Sequence, residues 1–497
     1  MIRRIEKRSV RTRAVALLLT SVGLFGPMSA TAETSTEAPK AIDKAANTLE
    51  SLKELDGKAP ARRSLDIQSW TTAEGARVLF VEAHELPMFD MRVLFAAGSS
   101  QDGATPGIAM ITNAMLNEGV KGKDVSAIAA GFEDLGADFG NGSYRDMALA
   151  SLRSLSAPDK REPALKLFSE VVGKPTFPSD SLARIKNQLL ASFEYQKQNP
   201  GKLAGDELFK RLYGEHPYAH PSMGTAKTVT PITLAQLKAF HAKAYAAGNA
   251  VIALVGDLSR PEAEAVAAQV SSALPKGPAL PKTVAPTPPK PGQTHIEFPS
   301  KQTHLMLAEL GIDRADPDYA ALSLGNSILG GGGFGSRLMT EVREKRGLTY
   351  GVSSGFTPMQ AKGPFMIGLQ TRAELSENTL NLVKDVTRDF LANGPTQKEL
   401  DDAKRELAGS FPLSTASNSA IVGQLGAIGF YNLPLTYLED FMTQSQSVTV
   451  EQIKAVMNKH LNVDNLVIVT AGPTVLQKPL PPPTERPAEQ PVGVPEH

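Results

Sequence analysis

The chain has 497 residues, with 52 Lys and Arg against 52 Asp and Glu, 41% apolar residues and no cysteine. Its zero formal net charge argues against a nucleic-acid partner, because proteins that bind polyanions usually carry a basic excess or stripe. The lack of cysteine excludes disulfides, thiolate nucleophiles, iron–sulfur clusters and cysteine-ligated zinc. Length and apolar content predict a globular protein of two to four domains.

Residues 1–32 have the pattern of an export signal. Six basic residues precede a mostly apolar run at 14–25, which is followed by a small-x-small cleavage pattern ending at Ala32. Because the run is shorter than the roughly 20 residues of a membrane span, we expect cleavage near Ala32 and a periplasmic protein without stable membrane insertion. An uncleaved anchor is the alternative. Residues 33–65 are polar and predict a flexible N-terminal segment.

A helix is predicted at residues 107–118, after strand-like segments at 77–82 and 91–96. One face of this helix carries the apolar stripe Ile108, Ile111 and Met115, and a different face carries Met110, Asn113 and Ala114. Strands followed by packed helices predict an α+β domain.

The chain contains an internal duplication. Residues 233–256 match residues 449–472 without a gap, and Thr, Gln, Lys, Ala, Asn and Gly recur at equivalent positions. Thr233 with Gln236 and Thr449 with Gln452 each predict a capping box at a helix start. In both copies a β-branched run ending in Gly follows and predicts a buried strand.

A proline-rich segment separates the two halves. Seven prolines lie between residues 274 and 291, which excludes a helix or a central strand and predicts an extended strap. We therefore expect two related domains with a linker between them and a disordered proline-rich tail after them. Their boundaries are 66–274 for the N-terminal domain, 275–293 for the linker, 294–475 for the C-terminal domain and 476–497 for the tail.

The second half carries a glycine run and an Arg…Gly-Leu-Thr-Tyr sequence. A helix is predicted at 336–346, with Gly347 as its left-handed C-terminal residue. Arg343 would lie in the last turn and Tyr350 just beyond it, so their side chains are expected to converge. The bland alternative is an arginine that stabilises the helix dipole beside a packed tyrosine. The run 330–333 lacks the Gly-Lys-Ser/Thr of a nucleotide-binding loop.

These motifs resemble those of the pitrilysin family of zinc peptidases, peptidase family M16. The resemblance covers nearly all of residues 66–475 and implies two homologous domains like those of mitochondrial processing peptidase. In that family an Arg/Tyr pair helps to hold the substrate, a role that the resemblance assigns to Arg343 and Tyr350. Gly331 and Gly332 would then shape the wall of a peptide groove.

The zinc motif of the family is missing from the first half. The family needs His-x-x-Glu-His on one helix, whereas this chain has Met110, Asn113 and Ala114 at the two histidines and the glutamate. The third ligand of the family, a glutamate, falls near Leu189–Ser192, with Glu194 nearby but out of place. A thioether, a carboxamide and a methyl group do not hold Zn²⁺ or generate hydroxide, so no metal site is predicted here.

His216 and His220 form the remaining pair with ligand-like spacing. Pro217 and Pro221 follow them directly, so a helical arrangement is not expected and the segment is interpreted as an ordinary loop. The other histidines show no ligand spacing, and His84 is expected to lie on the surface at a strand end.

The sequence thus predicts the non-catalytic subunit of a heterodimeric M16 peptidase. A partner chain with His-x-x-Glu-His would carry the zinc and the catalytic glutamate, while this chain would bind no cofactor and would present Arg343 and Tyr350 to peptide substrates. The alternative is a non-enzymatic peptide-binding or scaffold protein of the same fold. A third possibility is an enzyme that acts alone through an unrecognised site, but no group of residues in the sequence supports it.

Overall fold

The computed structural model describes residues 65–484. The predicted export signal, nearly all of the predicted N-terminal segment and the tail beyond Thr484 lie outside this range. The strands in this range are β1 Gln68–Thr71, β2 Arg77–Glu82, β3 Met88–Phe95, β4 Gly119–Val120, β5 Lys123–Asp124, β6 Asp138–Ser143, β7 Ala148–Leu155, β8 Ala250–Gly256, β9 Gly292–Glu297, β10 Gln302–Leu310, β11 Val352–Phe356, β12 Pro364–Arg372 and β13 Val467–Gly472.

Helices pack on both sheets, and in the described range six of the twelve connections between successive strands contain a helix. The helices in the described range are α1 Ile108–Ala114, α2 Val125–Glu133, α3 Pro158–Gly173, α4 Ser179–Gln196, α5 Pro200–Tyr213, α6 Ala226–Val229, α7 Leu234–Ala244, α8 Arg260–Ala273, α9 Tyr319–Asn326, α10 Ser376–Asn393, α11 Gln397–Ser410, α12 Asn418–Phe430, α13 Tyr437–Ser447 and α14 Val450–His460. Two π-helical segments, Ser327–Gly331 and Met339–Glu344, lie in the second half.

The two halves contain sheets with the same topology. The first sheet has the order β1-β2-β8-β3-β7-β6, and the second has the order β11-β12-β10-β13-β9. In each sheet the first and last of the shared strands pair in parallel, β2 with β8 and β9 with β13. Taken in chain order, β2, β3, β6, β7 and β8 therefore have the same neighbours as β9 to β13. This correspondence confirms the duplication and the α+β fold predicted from the sequence.

Both predicted capping boxes are present. The Thr233 side chain accepts a hydrogen bond from the amide of Gln236 at the start of α7, and the Gln236 side chain accepts one from the amide of Thr233. Thr449 and Gln452 do the same at the start of α14. The matched segments then end in the central strands β8 and β13, so the match between them reflects the same helix and strand in each domain.

One helix of each half packs on the sheet of the other half. Helix α5 of the first half packs on β10 and β13, while α12 of the second half packs on β2, β3 and β8. The interfaces are apolar: Leu208 of α5 shares a buried cluster with Val469, and Leu425 of α12 shares one with Leu79. This exchange is not visible in the sequence, because an amphipathic pattern does not specify which sheet covers the apolar face. It interlocks the two halves.

The proline-rich strap is held in place by hydrogen bonds to both halves. Residues 275–291 form no helix or strand. The amide of Leu280 donates to Asn249 Oδ1 at 3.0 Å, and the amide of Thr283 donates to Gln360 Oε1 at 2.9 Å. Within the described range, no helix is both long and apolar enough to cross a membrane.

Candidate functional site

Helix α1 is fixed at its start by a buried carboxylate. Asp102 accepts hydrogen bonds from the amides of Gly107 at 2.7 Å and Ala109 at 2.9 Å, which satisfies two free donors of the first turn. Burial outweighs these bonds and raises the pKa of Asp102 to about 7. The helix ends at Ala114 and a 3₁₀ turn follows, so the predicted helix at 107–118 is shorter than expected.

Asn113 occupies the position of the family's catalytic glutamate and is bound on several sides. Its side chain is buried, and Nδ2 lies 3.2 Å from the carbonyl oxygen of Leu149 and 3.2 Å from the hydroxyl of Tyr245. The backbone carbonyl oxygen of Asn113 accepts from Asn141 Nδ2 at 2.6 Å. Tyr245 is fully buried. The carboxamide is therefore a neutral structural group that ties α1 to the sheet.

Apolar packing replaces the three metal ligands. Met110 and Ala114 pack against a buried cluster that includes Ile111 and Leu189, and Leu190 packs against the same cluster from α4. The segment of α4 at the position of the third ligand therefore packs close to α1, but Leu189 and Leu190 contribute only apolar side chains there. The residues at this place do not fit a zinc ion, since each lacks a nitrogen, thiolate or carboxylate oxygen for the metal.

Glu194 does not supply the missing carboxylate. Its side chain is 68% exposed and pairs with Lys197 one turn further along at 2.7 Å. The pair belongs to the outer surface of α4, whereas the apolar residues Leu189 and Leu190 face α1. The interpretation of Glu194 as out of place agrees with this geometry.

The two histidines with ligand-like spacing do not converge. His216 is buried: its Nε2 lies 2.7 Å from the carbonyl oxygen of Val284 in the strap, and its Nδ1 accepts from the amide of Tyr218. His220 Nδ1 lies 3.2 Å from the carbonyl oxygen of Pro221. Each imidazole is thus used to hold loop or strap backbone, as expected for an ordinary loop.

One cluster of side chains that could bind a metal was not predicted from the sequence. Ligand atoms of Asp316, Asp318 and His460 lie within 4.8 Å of one another. Lys459 Nζ contacts Asp318 Oδ2 at 2.6 Å and lowers the pKa of that carboxyl; burial opposes this shift, and the hydrogen bond from His460 adds to it. The lysine already neutralises Asp318, so the cluster functions as an ion-pair network that anchors the end of α14.

In the second half, Arg343 lies on a π-helical turn. Residues Met339–Glu344 form this turn, so the predicted helix at 336–346 is helical but wider than expected. Gly347 has φ of 58° and ends the turn in the left-handed conformation, as predicted. The amide of Leu348 donates to the carbonyl of Val342 at 3.0 Å. The chain then turns sharply and brings Tyr350 back beside Arg343.

Arg343 and Tyr350 converge, and a third residue joins them. Arg343 Cζ lies 5.0 Å from the ring centroid of Tyr350 and 4.6 Å from that of Phe334. Both rings face solvent, with Tyr350 83% and Phe334 62% exposed. The neighbouring cations Lys345 and Arg346 are engaged with Glu341. We call Phe334, Arg343 and Tyr350 the exposed cation–aromatic cluster.

Phe334 was not singled out in the sequence, although it interrupts the glycine run. The available signal was the sequence context, because the glycines on either side of Phe334 have no side chains that could bury its ring. In the structure its ring lies beside the guanidinium of Arg343, a contact that in general stabilises an exposed cation by about 0.5–1 kcal/mol.

Gly331 and Gly332 have a local structural reason to be glycine. A Cβ on Gly331 would lie 2.5 Å from Asn326 Nδ2, and one on Gly332 would lie 2.7 Å from the carbonyl oxygen of Ser327. Both glycines therefore allow this close backbone approach at the π-helical turn Ser327–Gly331. Gly331 is exposed and lies three residues before Phe334.

Comparison with known proteins identifies the family. Residues 77–226 match the profile of insulinase (peptidase family M16), and residues 231–407 match that of the peptidase M16 inactive domain. The crystal structure of a peptidase M16 inactive domain from Pseudomonas fluorescens is 78% identical and covers 84% of this chain and 100% of that one, with a TM-score of 0.82. The chain belongs to peptidase family M16. The resemblance inferred from the sequence is confirmed.

The relatives of this M16 chain have names of two kinds. A non-peptidase homolog, YmxG of Helicobacter pylori, is 28% identical over 394 residues, which are 78% of this chain and 90% of the relative. An uncharacterized zinc protease of Mycobacterium leprae is 26% identical over 438 residues, 86% of this chain and 96% of the relative. With Met110, Asn113 and Ala114 in the place of the zinc motif, this chain is an M16 homologue of the non-catalytic kind.

Proposed function

We propose that this chain is the substrate-binding, non-catalytic subunit of a two-chain M16 zinc peptidase. The observation that carries the proposal is the contrast between its two domains: the first lacks every group of the zinc centre, while the second keeps an exposed cation–aromatic cluster. An arginine and two rings held open to solvent suit a binding surface better than a structural core. A partner chain with His-x-x-Glu-His would supply the metal and the general base.

Arg343 and Tyr350 would act on the substrate rather than on the fold. The guanidinium and the phenol are hydrogen-bond donors at one spot, and both suit a peptide carbonyl oxygen or the oxyanion that forms when it is attacked. Because Phe334 and Tyr350 lie against the guanidinium, Arg343 loses little side-chain entropy when it engages a substrate. Phe334 would add an apolar face for a substrate side chain.

The interlocked halves favour a division of labour between two chains. Helices α5 and α12 are exchanged between the sheets, so the two domains of this chain do not separate without exposing two apolar interfaces. Access to a substrate chamber would therefore come from movement between this chain and its partner. Enclosure between two chains would orient the peptide and remove water from it.

The proposed setting is the periplasm. The pattern of residues 1–32 supports export, and cleavage near Ala32 would release the mature subunit. The first experiment is a pull-down of the tagged chain from periplasmic extract, with the eluate assayed for zinc and for chelator-sensitive peptidase activity. Zinc, activity and a second chain with His-x-x-Glu-His are the expected result.

Variants then test the role of the cluster. Arg343→Ala with Tyr350→Phe should lower kcat/KM of the assembled complex by about 100-fold or more, because donors to the oxyanion are lost. Arg388→Ala with Tyr195→Phe, an exposed arginine and tyrosine elsewhere, is the matched control and should leave kcat/KM unchanged. Full activity of the first variant in an intact complex would contradict the proposal.

A peptide-binding or scaffold protein is the second candidate. The name of the Helicobacter pylori relative, a non-peptidase homolog, favours it. A stable lone chain that binds peptides, carries no zinc and yields no peptidase activity with any co-purified protein would support this alternative over the subunit.

A further inference from the structure

A cavity of about 610 Å³ lies beside the helix that has lost its zinc motif. The end of α4, the first three turns of α5, the loop from Pro221 to Thr225 and the start of α6 form its walls. Two of its lining residues, Phe193 and Met223, also pack against the apolar cluster that contacts Met110. The cavity is therefore adjacent to the degenerate centre in the first half, and it is separate from the cation–aromatic cluster of the second half.

A largely buried arginine lines this cavity. Arg145 Cζ lies 4.2 Å from the ring centroid of Phe209, and its Nη1 donates to the carbonyl oxygen of His220 at 3.0 Å. The two carboxylates whose charges act on Arg145 are engaged elsewhere, Asp146 with the hydroxyl of Tyr218 and Asp206 with Lys202. Burial lowers the pKa of Arg145, so its charge is incompletely compensated. An additional anion would remove this imbalance.

Three lysines add to the positive charge of the cavity. Lys197, Lys202 and Lys227 line it together with Arg145, and Asp206 is the one carboxylate among the lining residues. The pairing of Lys197 with Glu194 is a surface contact, with both side chains about two-thirds exposed, and such pairs contribute little free energy. Lys227 is exposed as well, so both Lys197 and Lys227 are accessible to an incoming anion.

The remaining lining is apolar. Phe193, Leu203, Phe209 and Met223 contribute hydrocarbon and ring surface next to the cations. A small inorganic anion would use the charge and leave this surface in contact with water. A carboxylate attached to an apolar chain would use both parts, since binding sites typically combine an apolar lining with a few orienting polar groups.

We infer that this cavity binds a carboxylate of a peptide, either its C-terminus or an acidic side chain next to apolar residues. Arg145 would bind the carboxylate, Lys197 and Lys227 would attract it, and the aromatic and aliphatic lining would hold the adjoining side chain. Only the choice of a peptide as ligand rests on the proposed function. The degenerate domain would then anchor part of a substrate at a distance from Arg343 and Tyr350.

N-acetylated peptides of alanine and leucine, titrated by calorimetry, test the inference on the purified full chain without a partner. One peptide has a free C-terminal carboxylate, a second has a C-terminal amide, and a third has the amide and one internal glutamate. Loss of a charge-assisted contact weakens binding by about 10- to 100-fold, so the all-neutral amide should bind that much more weakly than at least one carboxylate form. The arm that binds more tightly identifies the source of the carboxylate.

Two variants locate the binding to the cavity. Lys197→Gln with Lys227→Gln should weaken the preferred carboxylate peptide about 10-fold and leave the amide unchanged. Lys166→Gln with Lys238→Gln, two exposed lysines elsewhere, carries the same charge change and should alter neither. Arg145→Gln should remove the carboxylate preference, and a thermal melt checks its folding, because Arg145 also holds loop carbonyl oxygens.

The outcomes separate this inference from the proposed function. Arg343→Ala with Tyr350→Phe should keep the carboxylate preference even though it disables the proposed complex. Equal affinity for carboxylate and amide peptides, no binding of any of the three peptides, or equal effects of the two lysine pairs would overturn the inference. Tighter competition by inorganic phosphate than by the carboxylate peptides would also overturn it.

Discussion

Helix α1 of the first half and helix α9 of the second half occupy equivalent places in the duplicated fold. Each follows the second of the five strands that the two sheets share, and an asparagine side chain ties each to the strand 28 residues further on. In the first half Asn141 Nδ2 of the strand donates to the backbone carbonyl oxygen of Asn113, and in the second half Asn326 Nδ2 of the helix donates to the backbone carbonyl oxygen of Ser354. Beyond this shared tie the helices differ. Helix α1 ends in buried apolar packing, whereas α9 continues into the glycine-rich π-helical turn that leads to Phe334.

This difference shows how a domain can lose metal chemistry and keep its fold. In the first half neutral hydrogen bonds and hydrocarbon fill the place of the metal ligands and the catalytic glutamate, so the region contributes to stability. In the second half the exposed side chains contribute little to burial and remain available for binding. Substitutions near α1 should therefore affect stability, and substitutions in the cation–aromatic cluster should affect function.

The largest expected effect is that of Asn113→Asp. The new carboxylate would be buried opposite the carbonyl oxygen of Leu149, and within residues 65–484 no cation is hydrogen-bonded to Asn113. An uncompensated buried charge typically costs about 3–5 kcal/mol. Urea denaturation at pH 7 measures the loss. Asn117→Asp, one turn further along and half-exposed, is the control and should cost much less. Equal stability of the two variants would contradict the structural role of Asn113.

The cap of α1 should make stability depend on pH. Because the pKa of Asp102 is raised from 3.8 to about 7, the folded protein holds this proton at pH values where the unfolded chain has lost it. The unfolding free energy should therefore fall as the pH rises from about 4 to 7, by up to about 4 kcal/mol. The nearby His220 imidazole, 3.9 Å away, offsets little of this, since burial lowers its pKa.

Urea denaturation of Asp102→Asn across this pH range checks the assignment. The variant should show a flatter dependence than the wild-type chain, and Asp134→Asn, at an exposed position, should reproduce the wild-type curve. Identical curves for all three proteins would show that Asp102 does not titrate in this range.

A smaller loss of stability is expected at the interface where α12 of the second half packs on the first sheet. A Cβ at Gly429 of α12 would lie 2.4 Å from Val251 Cγ1 and 2.8 Å from Leu79 Cδ1, so Gly429→Val should cost about 1–3 kcal/mol through overpacking. Gly409→Val in α11 places the same side chain where a Cβ meets nothing within 4 Å and should be close to neutral. A neutral Gly429→Val would mean that α12 is loosely held on the first sheet.

The sequence predicted those features that depend on local chemistry. Capping boxes, the duplicated strand and the left-handed Gly347 follow from the residues that form them, and the missing zinc motif follows from side-chain chemistry at Met110, Asn113 and Ala114. The helix exchange could not be predicted, because the apolar faces of α5 and α12 fit either sheet. The tie between Asn113 and Tyr245 was equally hidden, since it joins residues 132 positions apart.

The smallest expected change in stability is that of the cation–aromatic cluster. Phe334→Ala with Tyr350→Ala removes two rings that are already 62% and 83% exposed, so the unfolding free energy should change by no more than about 0.5–1 kcal/mol. Urea denaturation measures it, with Tyr195→Ala as the control for an exposed ring. A large loss would mean that the cluster is structural, and the contrast between the two equivalent helices would no longer separate stability from binding. A small loss of stability, together with reduced peptide cleavage by the assembled complex, would support the distinction between stability and binding. In that case the rings would contribute to substrate binding and not to the stability of the fold.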